Sequence, residues 1–153
     1  MLFSLDNKHF VGGLFCDLQK AFDCVNHRVL LEKLEFYGII GLENKLFKSY
    51  LSNRFQRVII WNKGNSKTTS TWRIMENGVP QGSVLGPLLF LIYINDLAKI
   101  ITDVSKPVLF ADDTSIIIED SNPDEFNMKL ELVVNQTVRW FQCNLLSVNY
   151  DKT

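Results

Sequence analysis

The sequence predicts an α+β domain, an antiparallel sheet with helices packed on one face. Three observations carry that prediction. Segments with apolar spacing of two alternate with segments spaced at three and four along the 153 residues. The strand-like runs come in pairs joined by short polar turns, which favours hairpins over parallel crossovers. Hydrophobic residues make up 46% and charged residues 22%, which suits one folded domain with one core.

The elements follow in order. "HFVGGLFCDL" reads as a strand ending near Asp17. "HRVLLEKLEFYG" carries Val29, Leu30, Leu34 and Tyr37 at helical spacing, and Gly38 can end it. "LENKLFKSYLSNR" repeats the pattern with Leu42, Leu46, Phe47, Tyr50 and Leu51. "QRVIIW" is a strand, "NKGNSKTTS" a loop at a hairpin tip, and "WRIMENGV" a short return strand. "PQGSVLGP" is a loop opening onto a buried helix that runs to about Ile101. "VLFA" and "TSIII" are two strands, with the Asp112-Asp113 step as the tight turn between them. "NPDEFNMKLELVVNQTVRWFQCN" is a helix starting near Pro123 or Asp124, with Leu130, Val133, Val134, Val138 and Phe141 on one face. "LLSVN" reads as a last strand. Both chain ends are expected to be cuts through a larger protein.

Composition excludes several classes. The longest apolar stretch, Val84 to Ile94, is too short to span a bilayer and is broken by Gly86 and Pro87, so no membrane association is expected. "MLFSLDNKHF" has neither a basic region nor a cleavage site for export. Three cysteines, Cys16, Cys24 and Cys143, form no C-x-x-C pair, which points to a reducing, intracellular compartment. Cys24 and His27 are too few for structural zinc, so buried apolar thiols are expected instead.

The net charge of −1 hides an uneven distribution. Gly41 to Arg73 carries seven basic residues and one acid, Glu43; Ala111 to Glu125 carries six acids and no base. One reading is a phosphate track beside a metal site, and the other is two ordinary solvated faces. The adjacent acids Asp112 and Asp113 are either a solvated turn or half of a cation site. In a second aspartate cluster, Asp17 stands at a strand end, with Asp23 six residues on. Carboxylates at a strand end facing a carboxylate-bearing hairpin suit Mg²⁺, which takes few carboxylates plus water and substrate phosphate. "NGVPQGSVLGP" is neither a phosphate-binding P-loop nor a dinucleotide fingerprint. It is a plain turn into a helix, or a loop whose backbone approaches a planar ligand, with Gln81 offering both donor and acceptor.

Four segments together carry a family resemblance: "FCDLQKAFDCVNH", "GVPQGSVLGPLLFLIYINDL", "FADDTS" and "LLSVNYDKT". In this order they resemble the successive palm motifs of reverse transcriptases from non-LTR (LINE-like) retrotransposons, near the jockey and CR1 groups. One departure is Phe110, where many relatives have tyrosine. The resemblance covers nearly the whole chain. It implies a polymerase palm with a ferredoxin-like core over residues 1–153, with fingers, thumb and endonuclease outside these residues.

The resemblance also implies roles. Asp17, Asp112 and Asp113 would be catalytic acids: Asp17 and Asp112 would hold two Mg²⁺ ions, with Mn²⁺ as a substitute, and Asp113 would complete the acidic metal cluster. The Leu18 carbonyl would be a backbone ligand. Ala21, Phe22, Gln81 and Gly82 would line the nucleotide pocket, with Phe22 as a steric gate under the sugar. Lys152 would protonate the pyrophosphate leaving group. The implied partners are an RNA template, a DNA primer and deoxynucleoside triphosphates. The implied reaction adds deoxynucleotides to a primer 3′-hydroxyl, with the basic segment tracking template or primer phosphates, in the nucleus for the parent element. A nucleotidyl cyclase shares the two-metal chemistry and remains a rival. A non-catalytic remnant that binds RNA or a protein is the rival from another class.

Overall fold

The computed structural model describes residues 9–153. The expectation about an export signal falls mainly on residues 1–8, outside that range. In chain order the described elements are β1 (Phe10–Cys16), α1 (Ala21–Cys24), α2 (His27–Phe36), α3 (Gly41–Leu51), β2 (Phe55–Gln56), β3 (Ile59–Trp61), β4 (Lys67–Thr69) and β5 (Arg73–Ile74). These are followed by α4 (Leu85–Ile101), β6 (Lys106–Phe110), β7 (Asp113–Asp120) and α5 (Pro123–Cys143).

The central sheet has three antiparallel strands in the order β1-β7-β6. Its register runs from Phe10 opposite Asp120 to Cys16 opposite Thr114, and from Lys106 opposite Ile117 to Phe110 opposite Asp113. Alternation gives the sheet two faces. Cys16, Thr114, Ile116 and Ile118 are buried, while Phe15, Val108 and Phe110 stand exposed. The buried face packs on α4 and α5. This is the α+β layout with helices on one face.

Local chemistry explains the helices. The Asn26 side chain accepts from the Arg28 and Val29 N–H groups and starts α2. Gly38, at φ 87°, follows α2; its N–H reaches the Glu35 carbonyl, and the Ile39 N–H reaches that of Leu34. That paired bond pattern is a Schellman stop. Asn122 caps α5 in the same way as Asn26, with Pro123 at its first turn.

The core is built around α4, whose Leu89, Phe90, Tyr93, Ile94, Leu97 and Ile101 are buried. Each such side chain contributes about 1.5–3 kcal/mol on leaving water. From α5, Val133, Trp140 and Phe141 join this core. The Tyr93 hydroxyl donates to the Asn144 carbonyl at 2.6 Å and ties α4 to the end of α5. Burial raises the Tyr93 pKa to about 12.

Several expectations are corrected. "QRVIIW" is two short strands, because the return strand holds one extra residue between the Gln56–Arg73 and Ile59–Thr69 pairs. "NKGNSKTTS" is only partly loop, since Lys67–Thr69 forms β4. "LLSVN" is no strand but a single bridge between Leu18 and Val148. The hairpin turn is Ala111-Asp112, and Asp113 already belongs to β7. Of the three thiols, Cys16 is buried and Cys143 is exposed, so burial does not hold for all of them.

Candidate active site

β1 ends with Cys16 buried against Thr114. Alternation sends the next pair along, Asp17 and Asp113, to the open face. Both line one open pocket of about 350 Å³, together with Phe15, Ser115 and Lys152. Two acids far apart in sequence thus meet at one end of the sheet. Cys16 borders the same pocket, but burial raises its thiol pKa, which leaves it a poor nucleophile near neutral pH.

Asp112 occupies the second position of the two-residue turn and does not line that pocket. The strain falls on its neighbour. Ala111 takes φ 52°, a region that costs a side-chain-bearing residue about 1–2 kcal/mol. A glycine would relieve this, so "FADD" holds a strained turn where acid side chains stand.

Asp17 is held from several sides. The Asn149 side-chain amide donates to its Oδ2 at 2.8 Å, and the Asn149 backbone N–H donates to its carbonyl at 2.8 Å. Its own N–H donates to Thr153 Oγ1 at 3.3 Å. Lys152 Nζ lies 3.9 Å from Oδ2, a loose, solvated ion pair. The bridge between Leu18 and Val148 uses the carbonyls of Asp17 and Ser147, so the Leu18 carbonyl is not one of its acceptors. Asn149 is the residue that sequence reading missed. Its only signal was a polar cluster, "NYDKT", after an apolar run.

The remaining candidates form a second group. Ala21 is buried at the start of α1, within the core. Phe22 is half-buried and stacks on Phe90, with ring centroids 4.6 Å apart and planes at 28°. The loop before α4 is stitched to this segment: Gly78 N–H to the Val25 carbonyl at 2.8 Å, and Val79 N–H to the Phe22 carbonyl at 2.9 Å. Gln81 Nε2 donates to Asp23 Oδ1 at 2.9 Å. A carboxylate only accepts, so this bond fixes the amide's orientation and leaves Oε1 as its free acceptor. Gly82 sits at φ 77° with open space around it, so it is glycine for its backbone angle.

Among the described residues, no three His, Cys, Asp or Glu side chains converge as a preassembled metal cage. The zinc idea at Cys24 and His27 therefore gains no further ligand. The donor set does fit Mg²⁺, which uses one or two carboxylates and fills its shell with water and substrate phosphate. Two of the six acids in the acidic run make ion pairs of their own. Glu119 pairs with Lys106, and Asp120 with Lys129 at 2.6 Å. No described helix is long and apolar enough to cross a membrane.

Comparison with known proteins agrees with this layout. The family model for reverse transcriptase (RNA-dependent DNA polymerase) matches residues 4–153. The chain is 33% identical over its whole length to the probable RNA-directed DNA polymerase from transposon BS of Drosophila melanogaster, and spans 17% of that protein. It is 27% identical, over 97% of its length, to the RNA-directed DNA polymerase from the mobile element jockey of the same fly, and spans 16% of it. In fold it is similar to apo telomerase from Candida tropicalis truncated from the C-terminal domain. The TM-score is 0.63 at 17% identity, covering 97% of this chain and 31% of that one. With two facing acids at the end of an antiparallel sheet and a matching family model over nearly every residue, this chain belongs to the reverse transcriptase family, among the polymerases of LINE-like, non-LTR retrotransposons.

Proposed function

We propose that this chain is the catalytic palm of an RNA-directed DNA polymerase, working with fingers and thumb supplied by a longer protein. Its substrates are an RNA template, a DNA primer and deoxynucleoside triphosphates. The family generally uses divalent metals; here two Mg²⁺ ions, with Mn²⁺ as substitute, are the proposed cofactors. The observation that carries this reading is the meeting of Asp17 and Asp113 in one open pocket with Lys152 at its edge.

In the proposed reaction the primer 3′-oxygen attacks the α-phosphorus, the bond to pyrophosphate breaks, and the 3′-hydroxyl proton passes to solvent water. Divalent ions would supply charge neutralisation on the phosphate oxygens. Asp17 and Asp113 would hold them, with Asp112 available from the adjoining turn. Lys152 hands a proton to the departing pyrophosphate. Gln81 presents its fixed amide acceptor to the nucleotide. Phe22, stiffened by its stack on Phe90, offers a rigid edge under the sugar and rejects a 2′-hydroxyl.

The test is a graft. The chain replaces its matching segment in the BS-element polymerase, and primer extension is followed on an RNA template. The expected result is deoxynucleotide addition that falls by about 100-fold or more in Asp17→Asn and Asp113→Asn, while template binding persists. A folded graft that binds template and extends no primer overturns the proposal.

A further inference from the structure

Asn149 touches Asp17 through both its backbone and its side chain. Its N–H donates to the Asp17 carbonyl at 2.8 Å, and its Nδ2 donates to Asp17 Oδ2 at 2.8 Å. Its own carbonyl accepts from the Lys152 N–H at 3.0 Å, the Thr153 N–H at 3.1 Å and the Thr153 hydroxyl at 3.0 Å. That turn brings Lys152 Nζ to 3.9 Å from the same carboxylate oxygen. One residue therefore fixes where Asp17 lies and how its carboxylate is rotated.

The chemistry of the donor matters. A carboxylate can only accept, so the amide nitrogen must face it, and the orientation needs no assumption. The amide is neutral. It holds Oδ2 in place without cancelling the negative charge that a divalent ion needs. A lysine or arginine in its place would hold the oxygen equally well and compete with the ion. The amide bond engages Oδ2, which leaves Oδ1 as the oxygen that bond does not use.

We propose that Asn149 is a positioning residue that orients the Asp17 carboxylate to take a divalent cation. The proposal rests on the reading of Asp17 as a cation ligand given above. It predicts the pattern known for partners of metal-ligating carboxylates, whose removal weakens metal affinity about 10–100-fold.

The experiment uses the 153-residue chain and Mn²⁺ alone, with free ion read by electron paramagnetic resonance. Asp17→Asn identifies the site by abolishing the binding it accounts for. Asn149→Ala keeps every backbone bond and removes only the amide; circular dichroism confirms the fold, and Asn149→Ser serves if the alanine variant unfolds. Thr153→Ala is the structural control, since Thr153 meets the Asp17 N–H and not its carboxylate. The expected result is Mn²⁺ affinity about 10–100-fold weaker in Asn149→Ala, partial recovery in Asn149→Gln, and a change under about twofold in Thr153→Ala. Equal affinity in Asn149→Ala and wild type overturns the proposal, and so does an equal loss in Thr153→Ala. Wild-type binding that ignores Asp17→Asn overturns the cation reading of Asp17 itself, which is a distinct failure.

Discussion

Phe22 lets packing and selectivity be separated in one variant. Its ring stacks on Phe90 at 4.6 Å, and Phe90 is fully buried. Phe22 itself is half-buried, so Phe22→Val loses less than the 3–5 kcal/mol typical of a fully buried ring cut to alanine. Half of the low end gives about 1.5 kcal/mol, and the lost ring pair adds about 0.5–1 kcal/mol. The sum is about 2 kcal/mol, which for a domain of this length lowers Tm by about 4–8 °C. A circular dichroism melt of the 153-residue chain measures it. The gate makes a separate prediction. Single-group differences in a pocket discriminate about 10–200-fold. In the grafted polymerase, Phe22→Val should therefore raise ribonucleotide kcat/KM relative to deoxynucleotide by about tenfold or more. Equal losses for both nucleotides refute the gate and leave packing alone. An unchanged Tm refutes the stack.

Two further outcomes follow from the same geometry. A Cβ on Gly86 would stand 2.7 Å from the Pro80 carbonyl and 3.0 Å from Ser83 Oγ, so Gly86→Ala forces the loop off α4. The cost is about 1–3 kcal/mol, read as a lower urea midpoint with an unchanged slope. Asp120 has its pKa held below the usual carboxylate range, first by the Asn122 N–H and then by Lys129. Its contribution is therefore present above the unfolded value and lost as pH falls through the folded one. Asp120→Asn should flatten the drop in Tm below about pH 4; an unchanged acid limb contradicts this.

The legible parts of the sequence were those whose causes are local. α2, α3 and α5 show 3.6-residue spacing, and α2 and α5 carry their own caps and stops, such as Asn122-Pro123 and Gly38. The start of α4 was less legible, because Gly86 and Pro87 read as breakers while the helix already begins at Leu85. Proline is tolerated in a first turn, where its missing N–H has no partner to lose. β4 was hidden in "NSKTTS", since Lys67, Thr68 and Thr69 look like loop until their partners across the ribbon are known. The aspartates of the site stood out as charges at apolar strand ends. The sequence reading pairs Asp17 with Asp112, whereas it is Asp113 that lines the pocket with Asp17; a one-residue slip in a hairpin moves a side chain to the other face. Asn149 was invisible because its whole role lies in contacts with Asp17, which only folding supplies.

The central claim is that Asp17 and Asp113 form one divalent-ion site. Fe²⁺ can stand in for the ion, and with ascorbate and peroxide it releases radicals that cut the backbone nearby. Two clusters of cuts are expected in the folded chain, one around residues 15–18 and one around 110–114. Both should vanish together in Asp17→Asn and in Asp113→Asn, and excess Mg²⁺ should suppress both. Cuts near 110–114 that persist in Asp17→Asn would mean the two acids act apart, and that result would contradict the account.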